Sequence, residues 1–346
     1  MDIDYLIIGQ GLAGSLLAWE LIQRDQKVVV IDNDKENASL IAAGLINPVT
    51  GMRFVKSTGV DYLLPAALNY YQQLASFFQH SFYVESPMLR IFRNNKELIA
   101  CQKRLLQSGY KSYLDRIISS HSTINTPLGL LKQKQTGYLL TKPLLCALKA
   151  YFVSLDSYIK TDFQYEDIKL APDLQWQQFK PKRIIFCEGH LGINNPWFSW
   201  LPFQPVKGEI ITASSSNKII NKLLNYGQWY IPLDSYQFRT GATFDWDNLD
   251  TNITLLAKES LLKSLNQVYP DLKPENIIHQ QAGVRPTTLD KQPFIGPHPR
   301  HSELVFFNGF GAKGSLQIPW HSQCLADHLL YRKPVPSSSD ILRYYE

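Results

Sequence analysis

Two short apolar runs open the chain, at 5–8 and 28–31, and between them apolar residues recur at helical spacing. The first run ends in Gly9-Gln10-Gly11-Leu12-Ala13-Gly14 and the second ends at Asp32, which predicts strand, glycine turn, helix, strand. Residues 183–189, RIIFCEG, read as a further buried strand ending in Gly189. Alternating and apolar runs at 206–212, 229–233 and 237–242 predict three more strands, and an amphipathic pattern over about 254–268 predicts a helix. The basic stretch KRLLQSGYKSYLDR, 103–116, reads as a solvated helix face.

Each glycine of the first turn has a physical role. Gly9 makes the tight turn, Gly11 lets a pyrophosphate approach the backbone, and Gly14 lets the helix lie close to the strand, with Ala18 and Leu21 continuing the packed face. The helix start, at Leu12 and Ala13, offers unpaired N–H groups and a partial positive charge to a diphosphate. Asp32 is placed to accept hydrogen bonds from a ribose. The fingerprint is specific for the ADP half of a dinucleotide, which FAD and NAD share.

Composition narrows the classes. A chain of 346 residues with 45% hydrophobic residues is long enough for two domains and a sizeable core. A formal net charge of +5, with basic residues scattered through the chain, does not signal nucleic-acid binding. Cys101, Cys146, Cys187 and Cys324 are too dispersed for a disulfide framework or a zinc ribbon, so a reducing, cytoplasmic setting is expected. The first residues are acidic and glycines interrupt the apolar run, unlike a signal peptide, and no run is long enough to span a bilayer.

Several motifs are set aside. His321, Cys324 and His328 align on one helix face but diverge along it, as packed side chains and not as a metal set. GAKGS lacks the order of a phosphate loop, there is no G-x-S-x-G elbow, and His298 and His301 fall in a Pro-rich loop where exposure is expected. Arg285 is different. In AGVRPTTLDKQPFIGPHP, 282–299, Pro286 biases it toward extended backbone, so its guanidinium sits in a stiff frame. An ion pair with Asp290 and a ligand anchor both fit these residues.

Three stretches, NASLIAAGLINPVTG (37–51), GVRPTTLDKQPFIG (283–296) and LVFFNGFGAKGSLQIP (304–319), resemble the FAD-dependent amine and amino-acid oxidoreductases related to D-amino-acid oxidase, glycine oxidase and sarcosine oxidase. GYLLTKPLLCAL, RIIFCEG, PVKGEIIT and YIPLDSYQFRTGATFDW resemble that family in order and spacing too, so the likeness spans the chain. It implies that Ala43, Gly44, Leu45 and Ile46 run along the flavin, and that Gly189 lies against the cofactor. It further implies that the turn carrying Gly309, Gly311, Ala312, Lys313 and Gly314 faces the N1 and C2 carbonyl edge, where negative charge builds on reduction. Arg285 would take the substrate carboxylate as a two-point pair, and Tyr230 matches a position where glycine oxidases place a carboxylate-touching tyrosine; the composition of its strand also fits a core aromatic.

Ala312 and Lys313 stand where glycine-oxidase-like proteins carry a second basic residue, so the resemblance leaves the particular amino acid open. Arg285 and Pro286 occupy the place of a covalent flavin link, implying noncovalent FAD. The implied fold is α/β, with a Rossmann-like FAD-binding domain from 1–83, 137–197 and 281–346 and an interleaved α+β substrate domain, 84–136 and 198–280, on a mixed or antiparallel sheet. The implied reaction is oxidation of a small amine, an amino acid or N-substituted glycine, by hydride transfer to flavin N5, with oxygen or another acceptor reoxidising the flavin. Modification of an aminomethyl group on tRNA, or a FAD-binding module without turnover, are the alternatives.

Overall fold

The computed structural model describes every residue except Glu36 and Glu346. Among the described residues seven α-helices, α1 (Leu12–Ile22), α2 (Ala38–Ile41), α3 (Val60–Phe78), α4 (Asn95–Leu105), α5 (Thr141–Ser154), α6 (Leu255–Val268) and α7 (Gly314–Tyr331), surround two large sheets. The first sheet has six strands in the order Tyr158–Lys160, Val28–Asp32, Asp2–Ile8, Lys180–Phe186, Leu304–Asn308, Phe294–Pro297. All neighbours are parallel except the last pair. Its strands are apolar on both faces because both are covered. Tyr5, Ile7, Val28, Val30, Ile185 and Val305 face the helices α1, α3, α5 and α7, while Leu6, Ile8, Ile31, Phe186 and Phe306 face a second cluster built on Trp176 and Phe198.

The second sheet has eight strands, in the order Pro274–Arg285, Val206–Ser215, Gln237–Gly241, Trp229–Pro232, Leu223–Asn225, Met88–Ile91, Leu130–Gln133, Leu114–Ile118. Its pairings are antiparallel except that Leu223–Asn225 runs parallel to Met88–Ile91, which makes it mixed. One face buries Ile211, Ala213, Leu224, Tyr230 and Phe238 beneath Leu261 and Leu265 of α6. Thr254 caps α6, its side chain accepting from the Ala257 N–H. Because side chains alternate along each strand, the other face carries Arg285, Gly283, Gly208, Ile210, Arg239, Trp229 and Arg90, as the register fixes.

Two local expectations change. Residues 103–116 are not one helix face: α4 ends at Leu105, and Leu114–Ile118 is the edge strand of the second sheet. His298 is buried, edge-on to Phe198, with its Nδ1 accepting from the Arg300 and His301 N–H groups. Its loop folds back over the aromatic cluster, and the resulting desolvation lowers its pKa. His321 is packed in the interior, as its helix face implied, with its ring nitrogens 2.8 Å from the Gln317 carbonyl and 2.9 Å from Ser339 Oγ.

Candidate functional site

The carboxyl ends of four parallel strands meet at one edge of the six-stranded sheet, where Asp32, the glycine turn, Gly189 and the Gly309–Gly311 turn converge. Strand connections diverge there between Asp2–Ile8 and Lys180–Phe186, which opens a crevice for a ligand. The glycine turn is locked in place. Gly9 N–H donates to the Ile31 carbonyl at 2.8 Å, and Gln10 N–H donates to Asp32 Oδ2 at 2.7 Å. A Cβ on Gly14 would sit 1.9 Å from the Gly9 carbonyl oxygen, so this close packing of helix on turn needs glycine.

The same edge suits FAD. Gly11 is the extended N-cap of α1 and has no side chain to cap the helix, and the first turn holds no acidic residue. Leu12 N–H donates to Ser39 Oγ at 3.0 Å. Ala13 and Gly14, in the same turn, have no acceptor within the helix and present donors and the positive helix end to a diphosphate. A Cβ on Gly189, at φ +59°, would meet nothing within 4 Å, so that backbone borders open space. Asn308 Nδ2 donates to the Gly189 carbonyl at 2.9 Å, tying this strand end to the turn that leads into α7. Lys313 is the N-cap of α7, and burial beside Lys291 lowers its pKa.

The turn is joined to Arg285. Gly311 N–H donates to the Pro286 carbonyl at 3.2 Å. The Arg285 guanidinium lies 4.8 Å from the Phe244 ring centre, and its Nη1 donates to the Thr243 carbonyl at 3.4 Å. A Cβ on Gly208 would come within 2.2 Å of Nη2, so Gly208 makes room for the guanidinium. Arg285 forms no ion pair among the described residues, and burial pushes its pKa down to about 10, which leaves it charged at neutral pH. The Asp290 alternative fails, because that carboxylate belongs to Arg343, whose Nε is 2.8 Å from Oδ2.

Tyr230 lies away from Arg285. It is fully buried on the opposite face from Arg285, stacked on Phe238 at 5.3 Å, with only a 3.4 Å hydrogen bond to the Ile220 carbonyl. Its neighbour Trp229 faces the site side, packed near Ile41, Ala43 and Leu45. A shift of one residue in a strand reverses the face, and the apolar triplet Trp229-Tyr230-Ile231 gives no alternation to read. Tyr230→Phe is therefore expected to leave kcat/KM within about twofold and to lower stability by about 1 kcal/mol or less. Trp229→Leu is expected to raise KM; steady-state kinetics beside thermal melts separate the two.

Other contacts have no signal in the sequence. Gly44, at φ +66°, sits where a Cβ would be 2.0 Å from the Leu139 carbonyl oxygen, and Leu139 N–H donates to the Gly44 carbonyl at 2.9 Å. This holds the 43–46 segment against residues 137–139. Arg239 donates to the carbonyls of Ile41 and Ala42, and Arg90 donates to the Gly51 carbonyl while stacking 3.9 Å over Phe54. Glu188, beside Gly189, accepts from Tyr165 Oη at 2.6 Å and Asn195 Nδ2 at 2.9 Å, and burial raises its pKa to about 7. These contacts join residues far apart in sequence, so no local pattern announces them.

A glycine-lined diphosphate edge facing a mixed sheet with a buried arginine defines a dinucleotide-dependent oxidoreductase of two-sheet construction. The profile of the FAD dependent oxidoreductase family, DAO, matches residues 4–328, and the chain belongs to that family. Over 98% of its length it is 23% identical to the tRNA 5-methylaminomethyl-2-thiouridine biosynthesis bifunctional protein MnmC of Acinetobacter baylyi, spanning 54% of that protein. Glycine oxidase of Bacillus subtilis is 29% identical over 41% of this chain and 37% of its own. The chain thus spans about half the length, or less, of these curated relatives. The crystal structure of glycine oxidase from Geobacillus kaustophilus superposes with a TM-score of 0.83 at 19% identity, over 96% of this chain and 95% of that one. Among the described residues no helix is long and apolar enough to cross a membrane.

Proposed function

We propose that this FAD-dependent oxidoreductase oxidises an amine that carries a carboxylate, an amino acid or an N-substituted glycine. The observation that carries this reading is Arg285: a largely buried guanidinium with no acidic partner among the described residues, joined through Pro286 to the Gly309–Gly311 turn. Burying an uncompensated cation is costly, and a carboxylate ligand offsets that cost through two parallel hydrogen bonds. FAD, when bound, supplies the acceptor for the hydride that leaves the carbon next to nitrogen.

The chain's own residues bind and orient. Arg285 fixes the carboxylate, Gly208 keeps the guanidinium flat against the sheet, and the Thr243 carbonyl holds its far nitrogen. Trp229 and Ile210 line the same face with apolar surface and help to exclude water. An amine that enters neutral needs no proton removed by the protein before the C–H bond breaks.

Anaerobic mixing with glycine, sarcosine, proline and an uncarboxylated amine, followed by absorbance, tests the reading. Bleaching by carboxylated amines is expected. Bleaching by NADH alone would reassign the chain to flavin reduction. Peroxide formed in air would identify oxygen as the acceptor. A second reading, in which the amine is an aminomethyl group on a tRNA base, is favoured by the 98% coverage of this chain in the match to the tRNA-modifying relative. Bleaching by bulk tRNA but by no free amine, with binding that weakens steeply in salt, would select it.

A further inference from the structure

Arg239 has no role in the substrate reading above, yet it is, with Arg285 and Arg90, one of three largely buried arginines on the site face of the eight-stranded sheet. It forms no ion pair among the described residues, and desolvation lowers its pKa. Two of its donors go to the carbonyls of Ile41 and Ala42 at the end of α2, and Thr141 Oγ1 donates to the Ala42 carbonyl as well, at 3.3 Å. An arginine has five N–H donors, so further donors remain for a ligand. Carbonyl oxygens do not neutralise its charge.

The other end of α2 identifies the ligand. Ser39 Oγ accepts from Leu12 N–H at the start of α1, beside the glycine turn that would hold the diphosphate of FAD. From Ser39 to Ala42 is three residues of a helical turn, a rise of about 4.5 Å. The guanidinium is therefore held one short helix away from the dinucleotide crevice, with α2 touching both. Its carbonyl acceptors directly precede Ala43, Gly44, Leu45 and Ile46, which Gly44 ties to Leu139. A buried positive charge so placed is matched by an anionic dinucleotide and by no described side chain.

We propose that Arg239 is a FAD-binding residue: it anchors the 41–46 segment through two carbonyls and supplies the counter-charge to the bound anionic cofactor. This claim rests on FAD binding alone and is independent of the substrate assigned above. Arg239→Gln keeps a donor for the carbonyls and removes the charge, whereas Arg239→Lys keeps the charge and loses the planar fork.

Holoenzyme of each form is serially diluted at low and high KCl, and free FAD is measured in ultrafiltrates, with thermal melts at saturating FAD alongside. Arg239→Gln is expected to raise the FAD Kd about 10- to 100-fold at low salt and to flatten its salt dependence. Arg239→Lys is expected to recover part of the affinity and keep the salt dependence. Wild-type Kd in Arg239→Gln overturns the proposal. So does a lowered melting temperature with unchanged Kd, or a raised Kd with unchanged salt dependence, since either marks a purely structural tether. Should Arg239→Gln fail to fold, Arg239→Lys decides: a salt-sensitive Kd near wild type supports the proposal, and a Kd raised 10-fold or more with no salt sensitivity overturns it.

Discussion

Replacing Arg285 with methionine is expected to leave FAD bound and to cost carboxylate-bearing amines about 2 to 5 kcal/mol in kcat/KM, the usual range for removing one partner of a buried charged pair. Methionine fills similar volume, so the space beside Gly208 is not left as a large void. Amines without a carboxylate should lose far less, and that contrast is the diagnostic measurement. Arg285→Lys should recover only part of the loss, because ammonium cannot make the parallel two-bond contact. Equal losses for carboxylated and uncarboxylated amines would show that Arg285 supports the site without touching the carboxylate. Asp290→Asn serves as a control: it disturbs the Arg343 pair and is expected to leave the kinetics unchanged.

The second large effect separates two glycines of one turn. Gly14→Ala drives a methyl group to 1.9 Å from the Gly9 carbonyl oxygen, which is backbone and cannot turn aside. The helix must lift from the strand, and a loss of at least about 3 kcal/mol is expected, with low yield of folded protein. At Gly11 the added Cβ would stand 3.3 Å from Ser39 Oγ, a side chain able to rotate, and the backbone there is extended, at φ −69° and ψ −176°. Gly11→Val is therefore expected to fold within about 2 kcal/mol of the parent while blocking diphosphate approach, giving colourless protein. Far-UV circular dichroism with absorbance near the flavin band reads both. Full FAD occupancy in Gly11→Val would contradict the assigned crevice.

What could be read from the chain was what is local or stiff. The glycine turn, its flanking strands and Asp32 form one short unit whose residues touch one another, and the proline after Arg285 announces a held side chain. Two mixed and parallel sheets follow from the apolar runs and the family resemblance. The face of a strand did not, because Trp229, Tyr230 and Ile231 are all apolar and only the register against residues 237–241 decides which points to the site. Gly208 and Arg239 escaped for another reason. Each acts on a residue of a distant segment, Arg285 or Ile41, and neither changes the periodicity of its own strand. His298 was misjudged because Phe198, a hundred residues earlier, supplies its cover.

The first sheet takes its central strand from residues 2–8, one neighbour from 180–186, and its far edge from 294–308, while α7 packs on α1 and α3. A nascent chain thus exposes the nucleotide fingerprint long before the strand and helix that cover it have left the ribosome. Such high contact order makes closure slow and leaves strand 2–8 without its neighbour 180–186, and strand 28–32 without its neighbour 158–160, during synthesis. The crevice becomes competent only when the last helix docks. Cofactor capture is then expected to be a late event that locks a finished topology, and flavin supplied during synthesis is expected to raise the yield of folded chain.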